Sequence, residues 1–202
     1  MNISKYFIIL LLLFTSLSAK EKNIFFDARF EVPLFGEGTA NNSYGNSEGE
    51  YSTPLFLGVS LGYIFNINEE WAIEPSVGYS FNTGSTLFSQ NAFEYNYSDI
   101  TIPLMYKKKG FKGGFFFKYM NIKKLKLDTF TSYNITNGSI TEEYNEVSFK
   151  NKNPFTIGVK IVTGSWFYGY EYLFNGKYTT DNGRASVDIE GSRISVGIRN
   201  TF

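Results

Sequence analysis

Cysteine and histidine are both absent from the 202 residues of this chain. The absence of cysteine excludes a disulfide framework, a lipid-anchored N-terminal cysteine and thiolate metal sites. The absence of histidine excludes mechanisms that need an imidazole base and metal sites that need imidazole ligands. A mechanism built on carboxylates alone, such as Glu31 with Glu74, stays open, but acids of this kind are more often ion-pair partners. We therefore expect a protein that is not an enzyme.

A phosphate-binding loop is also missing. The segment 36–38 contains two glycines, but it does not lead from a strand into a helix, as a nucleotide-binding loop does. Glu37, Glu48 and Glu50 could together hold a divalent cation, although a solvated loop explains them more simply. We expect no cofactor, no bound metal and no nucleic-acid partner.

A long apolar run occurs only once, over residues 6–14. A lysine precedes it, and small residues and then a charged segment follow it, which is the layout of a secretory signal peptide. The run is well short of the roughly 20 residues that a membrane-spanning helix needs. We expect a signal peptide over residues 1–19, cleaved after Ser18 or Ala19, and a single domain over residues 20–202.

The rest of the chain alternates between apolar and polar residues. Aromatic residues make up 19% of the chain, yet the mean hydropathy is only −0.18. Successive side chains of a strand point to opposite faces, so alternation separates two environments. The segment 57–63 shows this most clearly, with large apolar residues at odd positions and only Gly58, Ser60 and Gly62 between them. Repeated along the chain, the pattern predicts about eight antiparallel strands.

The connections between these strands alternate in length. Short turns are expected at residues 66–70, 107–110 and 163–165. Transmembrane barrels have short turns at one end and long loops at the other, whereas a soluble sandwich has no reason to keep every second turn minimal. The pattern predicts an all-β fold, a transmembrane antiparallel up-and-down β-barrel of about eight strands, with short periplasmic turns and long extracellular loops. The long connections are expected at 36–53, 83–92, 121–153 and 175–186.

Aromatic residues at the strand ends fall into two groups, as the two interfacial girdles of a barrel would. Core aromatics of a soluble fold have no reason to separate in this way. The group near the short turns and the termini comprises Phe26, Phe65, Trp71, Tyr106, Phe111, Trp166 and Phe202. The group near the long connections comprises Tyr79, Phe81, Tyr119, Phe155, Tyr172 and Phe174.

Two strands contain a predicted irregularity. Pro75 cannot donate a ladder hydrogen bond, which implies a bulge or break in the third strand. In the fourth strand, Tyr95 and Tyr97 are out of phase with the apolar residues of the segment 100–106. A β-bulge near Ser98 or Asp99 would bring both halves to the same face. Alternatively, the two tyrosines lie beyond the membrane.

The last strand, residues 193–202, alternates strictly and ends on Phe202. It resembles the closing strand of bacterial outer-membrane β-barrels, although Asn200 stands where that family usually has an apolar residue. The whole of residues 20–202 resembles the small OmpA-like and OmpX-like barrels. The resemblance implies localisation in the bacterial outer membrane, contact with its lipid, and recognition of Phe202 as an assembly signal by the barrel-assembly machinery. It further implies a monomer with a structural or surface-interaction role.

Charged residues are predicted on the inner face of the barrel. An eight-stranded barrel is just wide enough to be filled by its own side chains. Because four acids nearly balance five bases, we expect them to pair across the lumen and close it, with small residues such as Gly58 and Gly78 making room. The alternative is a narrow pore for small solutes or ions. The predicted lumenal cluster comprises Asp27, Arg29, Glu31, Glu74, Lys118, Lys160, Glu171, Arg193 and Arg199.

The segment 124–150 carries its own hairpin pattern. Alternating residues flank Asn137-Gly138, a pair suited to a type I′ turn. We expect a β-arm that projects beyond the membrane and could pair with another protein by strand addition. A flexible surface loop is the simpler alternative.

Overall fold

The computed structural model describes residues 23–34, 37–40, 51–83, 94–136, 139–149, 153–179 and 185–202. Among these residues, none belongs to a helix long and apolar enough to cross a membrane. The predicted signal peptide lies outside the described residues. The strands are β1 (Ile24–Pro33), β2 (Glu37–Ala40), β3 (Tyr51–Ser52), β4 (Phe56–Tyr63), β5 (Phe65–Asn66), β6 (Trp71–Ile73), β7 (Ser76–Asn82), β8 (Glu94–Lys108), β9 (Phe111–Thr136), β10 (Ser139–Phe149), β11 (Phe155–Thr163), β12 (Trp166–Phe174), β13 (Lys177–Thr179), β14 (Ala185–Asp188) and β15 (Gly191–Thr201).

The main sheet closes into an antiparallel barrel of eight crossings. In order around the barrel they are β1, β4 with β5, β7 with β6, β8, β9, β11, β12 and β15, and β15 returns to β1. The closing ladder runs from the pair Phe25 and Thr201 to the pair Pro33 and Arg193. Closure leaves no barrel edge with unpaired backbone groups, which hydrocarbon would not tolerate. The predicted fold class is confirmed.

The outer face of the barrel is apolar. Phe115 is 72% exposed, Val77 58% and Leu57 55%, although a soluble protein would bury side chains of this kind. The aromatic residues at the strand ends pack against each other, with the Trp71 and Tyr106 rings 5.2 Å apart near a short turn. At the opposite end, the Phe155 and Phe174 rings stack at 5.2 Å. The exterior is that of a barrel that spans a membrane.

The short turns occur where the alternation predicts them. Bends connect β5 to β6 over residues 67–70, and two-residue turns connect β8 to β9 and β11 to β12. Gly110 and Gly164 have positive φ values of 76° and 56° in these two turns, a conformation that residues with a Cβ rarely adopt. We call this end of the barrel the short-turn end and the other the loop end.

The irregularity predicted at Pro75 is present, because the third crossing is interrupted between β6 and β7. The bulge predicted near Ser98 or Asp99 is wrong. These two residues pair regularly with Tyr79 and Gly78 of β7. The irregularity lies on the neighbouring strand β9, where Lys123 is the extra residue between the partners of Asn96 and Tyr97.

Two of the predicted long loops contain strands. β13, β14, β2 and β3 form a second antiparallel sheet, in that order. This order repeats that of the barrel strands β12, β15, β1 and β4, from which the four short strands continue. The prediction of plain loops over residues 36–53 and 175–186 is therefore wrong in part, because sheet pairing extends past the barrel.

A projecting arm is formed by the distal part of β9 and by β10. The two strands pair over all 11 residues of β10, from Ser139 with Thr136 to Phe149 with Leu125. At about 3.3 Å per residue, the arm extends roughly 35 Å beyond the barrel. The predicted arm is present, whereas its predicted turn at Asn137-Gly138 lies outside the described residues.

Candidate functional site in the barrel lumen

The nine residues predicted to face the lumen all point inward. Arg29 and Lys160, the most accessible of them, have side chains only 8% and 13% exposed. Alternation along the strands explains this placement, because all but Arg193 and Arg199 lie between two apolar neighbours on the opposite face. Phe202 lies instead at the seam, where its N–H donates to the Ile24 carbonyl at 2.8 Å. The buried members of the set are Asp27, Glu31, Glu74, Lys118, Glu171, Arg193 and Arg199.

Arg199 is the centre of an ion-pair network near the short-turn end. Its Nε donates to Asp27 Oδ1 at 2.7 Å, its Nη2 to Asp27 Oδ2 at 2.9 Å, and its Nη1 to Glu74 Oε2 at 2.5 Å. Lys160 donates to Asp27 at 2.8 Å and Lys112 to Glu74 at 2.9 Å. All three guanidinium nitrogens of Arg199 are thus used. We call these five residues the lower network.

A second group of charges, the upper network, lies closer to the loop end. Arg29 Nε donates to Glu31 Oε1 at 2.5 Å, and Arg29 Nη2 to Asp99 Oδ2 at 2.5 Å. Lys118 lies 2.7 Å from a Glu171 carboxylate oxygen and 3.9 Å from Glu31. The upper network has one more carboxylate than cations, and the lower network has one more cation than carboxylates. The two therefore compensate each other.

Hydroxyl groups complete the hydrogen bonding of the carboxylates. Tyr97 donates to Glu31 Oε2, Thr101 to Asp99 at 2.9 Å, and Thr156 to Glu171 at 3.0 Å. A buried ion pair stabilises a fold only when its remaining lone pairs are also satisfied. In the upper network, each of the three carboxylates accepts a hydrogen bond from a hydroxyl group in addition to its ion pair.

Two glycines make room for the Arg29 side chain. A Cβ on Gly58 would lie 2.7 Å from Arg29 Nε, and one on Gly78 would lie 2.7 Å from Asp99 Oδ2. Both distances are well inside van der Waals contact, so a larger residue would displace the guanidinium or its partner. The predicted placement of small residues such as Gly58 and Gly78 beside long charged side chains therefore has a steric cause.

Little free space remains between the two networks. The cavity there has a volume of about 30 Å³, with Asp27, Lys160, Arg29, Lys118 and Glu171 on its walls. By this measure, a cavity needs roughly 10–15 Å³ to hold one water. The polar layer therefore has room for about two or three waters.

Apolar clusters lie on either side of the charged layer. At the short-turn end, Phe25 packs with Ile64 and Ala72, and Met105 packs with Val162 and Phe167. A larger cluster fills the loop end, where the Phe149 and Tyr178 rings meet at 6.5 Å and join the projecting arm to the second sheet. Burial raises the pKa of the Tyr178 hydroxyl. The loop-end cluster comprises Phe56, Tyr95, Tyr97, Met120, Ile122, Leu125, Phe149, Leu173, Tyr178, Val187 and Ile189.

Arg193 lies beneath this loop-end cluster and differs from the other arginines. It is only 1% exposed, and its Nη2 donates to the Tyr95 hydroxyl at 2.7 Å. Its Nε and Nη1 have no hydrogen-bond partner among the described residues. The Phe56 and Tyr97 rings lie 5.8 Å from the guanidinium carbon, so aromatic faces take the place of a carboxylate.

Sequence reasoning missed four lumenal partners. Asp99 and the tyrosines Tyr95 and Tyr97 were misplaced by the expected bulge, which turned their side chains to the other face. Alternation also places Lys112 on the inner face, but the predicted cluster left it out. It meets Glu74 only because of the geometry of the closed barrel. The unbroken alternation of polar or aromatic residues at positions 95, 97, 99 and 101 was the signal for one continuous inner face.

The arrangement neutralises buried charge rather than presenting a reactive group. Every carboxylate of the two networks accepts at least two ion-pair or hydrogen-bond contacts. No group of three or more acids that could hold a metal ion occurs in the part of the chain that the structure describes.

The barrel was compared with known proteins. No protein-family model matches the chain, and no curated protein matches it in sequence. The chain forms a closed antiparallel β-barrel of eight crossings with an apolar outer face. Among solved structures, it is similar to Neisserial surface protein A at 13% identity, covering 89% of this chain and 97% of that one with a TM-score of 0.47.

A second similar structure is Ail, the attachment invasion locus protein of Yersinia pestis. The identity is 10%, the coverage 89% of this chain and 100% of that one, and the TM-score 0.43. The crystal structure of Ail with the heparin analogue sucrose octasulfate gives 10% identity, the same coverage and a TM-score of 0.38. At this similarity the function has to be argued from the residues of this chain.

Proposed function

We propose that this protein is a monomeric, non-enzymatic barrel of the bacterial outer membrane with a structural or surface-interaction role, and that its lumen does not conduct. Under this proposal, the short turns face the periplasm and the second sheet and the arm face outward. Residues 1–19 direct export, and Phe202 serves assembly. The observation that carries the proposal is the filled lumen, in which ion pairs lie between apolar layers.

The energetics of the lumen support closure. A permeating ion would have to separate Arg199 from Asp27 and Glu74, all of which are buried. Breaking a buried pair by removing one partner typically costs about 3–5 kcal/mol. The ion would then meet the apolar layer that contains Phe25 or Phe167, where no polar group replaces its hydration.

With the lumen filled, the parts of the molecule available to partners are those beyond the membrane. The arm and the second sheet both present β-structure there, with β10, β13 and β3 at the ends of the described strand orders. Strands at a sheet end offer backbone donors and acceptors to a partner chain. This supports a surface-interaction role of an adhesion-like kind.

Single-channel recording in a planar bilayer tests the closed lumen. Refolded protein, shown to be folded by heat-modifiable gel migration, is expected to give no steady conductance steps. A Glu74→Ala variant is expected to be less stable and equally silent. Steady, ion-selective conductance from the folded wild-type protein would overturn the proposal and favour a narrow pore for small solutes or ions.

Shortening the arm tests the surface role. Two kinds of cells are compared, one displaying the full chain and the other a variant that lacks residues 127–147. Attachment to surfaces and to other cells is measured for both. We expect attachment to fall in the shortened variant while barrel folding is retained. Equal attachment by both folded proteins would contradict a role for the arm. A variant shortened in the second sheet shows separately whether that sheet also contributes to attachment.

A further inference from the structure

A pocket opens at the short-turn end, between the turn that joins β8 to β9 and the turn that joins β11 to β12. Its volume is about 250 Å³. Three lysines, Lys107, Lys108 and Lys112, line it together with Phe111 and Val162, and none of the described carboxylates lines it. The pocket meets the lower network at Lys112, while the Val162 side chain on its wall belongs to an apolar cluster with Met105 and Phe167. Apart from Lys112, no member of the two networks is among the described residues that line the pocket.

The positive charge of the pocket is only partly compensated. Lys112 pairs with Glu74 at 2.9 Å. Lys107 Nζ donates to Asn66 Oδ1 at 2.9 Å and to the Asn68 carbonyl at 3.1 Å, both of which are neutral oxygens. Lys108 is exposed. At least two ammonium charges thus remain available to an anion.

The neighbouring turn holds Lys107 in place. The Asn68 side-chain oxygen accepts hydrogen bonds from the backbone N–H groups of Glu70 at 2.9 Å and Trp71 at 2.7 Å. The Lys107 N–H in turn donates to the Glu70 carbonyl at 2.6 Å. A lysine that is fixed before binding loses less side-chain entropy when it engages a ligand.

The position of the pocket relative to the membrane indicates the ligand. Phe111 is 42% exposed and Trp166 is 53% exposed, and aromatic residues at barrel ends lie at the level of the lipid headgroups. Lysines at that level attract anionic headgroups. Lysine is also a common phosphate ligand, acting as a point charge with several donors.

We propose that the pocket at the short-turn end binds a phosphate group, supplied by an anionic lipid headgroup or by a soluble phosphate. A site for one water needs roughly 10–15 Å³ by the same measure, so the volume accommodates phosphate together with ester substituents. The inference rests on the proposed function only in that the barrel spans a membrane. It is independent of lumen closure and of any role of the arm.

The test is an NMR titration of isotopically labelled full-length barrel in dodecyl maltoside micelles, which contain no phosphate. One arm adds inorganic phosphate against chloride at constant ionic strength, and the other adds short-chain phosphatidylglycerol. We expect saturable shifts of the Gly110, Lys112 and Gly164 amides. Shifts in both arms, or with inorganic phosphate alone, support the site with a soluble source, and shifts with phosphatidylglycerol alone assign it to the lipid.

Two matched variants separate a site from general charge attraction. Lys107→Gln removes a pocket lysine, and Lys109→Gln removes a lysine of the same turn that does not line the pocket. Since charge-assisted hydrogen bonds are among the strong ones, Lys107→Gln is expected to weaken binding roughly tenfold or more, and Lys109→Gln to change it less than about twofold. Absence of saturable shifts in both arms, or an equal effect of the two substitutions, would overturn the proposal. Gel migration confirms that each variant is folded, and conductance is recorded separately.

Discussion

Arg199 and Arg193 lie on the same strand and on the same inner face, yet they occupy opposite environments. Arg199 uses all three nitrogens in ion pairs with Asp27 and Glu74, and its guanidinium carbon lies 3.8 Å from the centre of the Phe25 ring. Arg193 donates one hydrogen bond, to Tyr95, and otherwise meets aromatic faces. The lumen immediately around Arg199 is thus held by charge pairing, and the lumen immediately around Arg193 by aromatic packing.

The difference between the two arginines predicts different responses to substitution. A buried charge whose partner is removed leaves an uncompensated ion, whereas a buried charge replaced by an apolar side chain of similar size can be neutral. Arg199 has two carboxylates that depend on it. Arg193 has none within ion-pair distance in the described part of the chain.

The largest effect is expected for Arg199→Met. Asp27 would keep Lys160 and Glu74 would keep Lys112, but each would lose its buried guanidinium, and we expect a loss of about 3–5 kcal/mol in the free energy of unfolding. Urea unfolding in lipid vesicles, followed by fluorescence of the two tryptophans, measures it. A loss below about 1 kcal/mol, as for an exposed pair, would remove the distinction between the two arginines.

A smaller effect is expected for Tyr95→Phe. The substitution keeps the aromatic ring within the loop-end cluster but removes the acceptor of the Arg193 hydrogen bond, at an expected cost of about 1–3 kcal/mol. Tyr178→Phe, in the same cluster, is the matched control for loss of a buried hydroxyl. If the control loses as much stability, the effect does not come from Arg193.

The smallest effect is expected for Arg193→Met, with a change within about 1 kcal/mol in either direction. Combined with Tyr95→Phe, Arg193→Met should restore most of the stability that the tyrosine substitution removes. The Arg193 Nη2 donor is then absent, so it is not left without the Tyr95 hydroxyl as acceptor. The same unfolding assay gives this coupling as a double-mutant cycle. A loss as large as that of Arg199→Met would mean that Arg193 also neutralises Glu31 or Glu171.

Most of the correct predictions come from the alternation of apolar and polar residues along the strands. It placed Asp27, Arg29 and Arg199 on the inner face and the exposed apolar residues on the outer face, because side-chain direction in a strand depends only on parity. The alternating lengths of the connections predicted how the strands pair. Both are local properties that can be read along the chain.

The pairing of charges could not be predicted in the same way. Glu74 meets Lys112 and Arg199 because of strand stagger around the closed barrel, which the sequence does not specify locally. The inward direction of Tyr97 was missed for a different reason. An aromatic residue in a membrane strand was assumed to face lipid, whereas its hydroxyl donates to Glu31 inside the lumen. The apolar layers of the lumen were missed on the same assumption.

The seam between β1 and β15 has a consequence for the kinetics of folding. Asp27 and Arg199 are separated by 172 positions in the chain, so their contact closes a loop of almost the whole domain. Contacts of such long sequence separation form late and slowly. The barrel therefore acquires its ion-pair centre in the same late step that seals its wall. Until then, we expect Asp27 and Arg199 to remain hydrated, because each lacks the buried partner that replaces water.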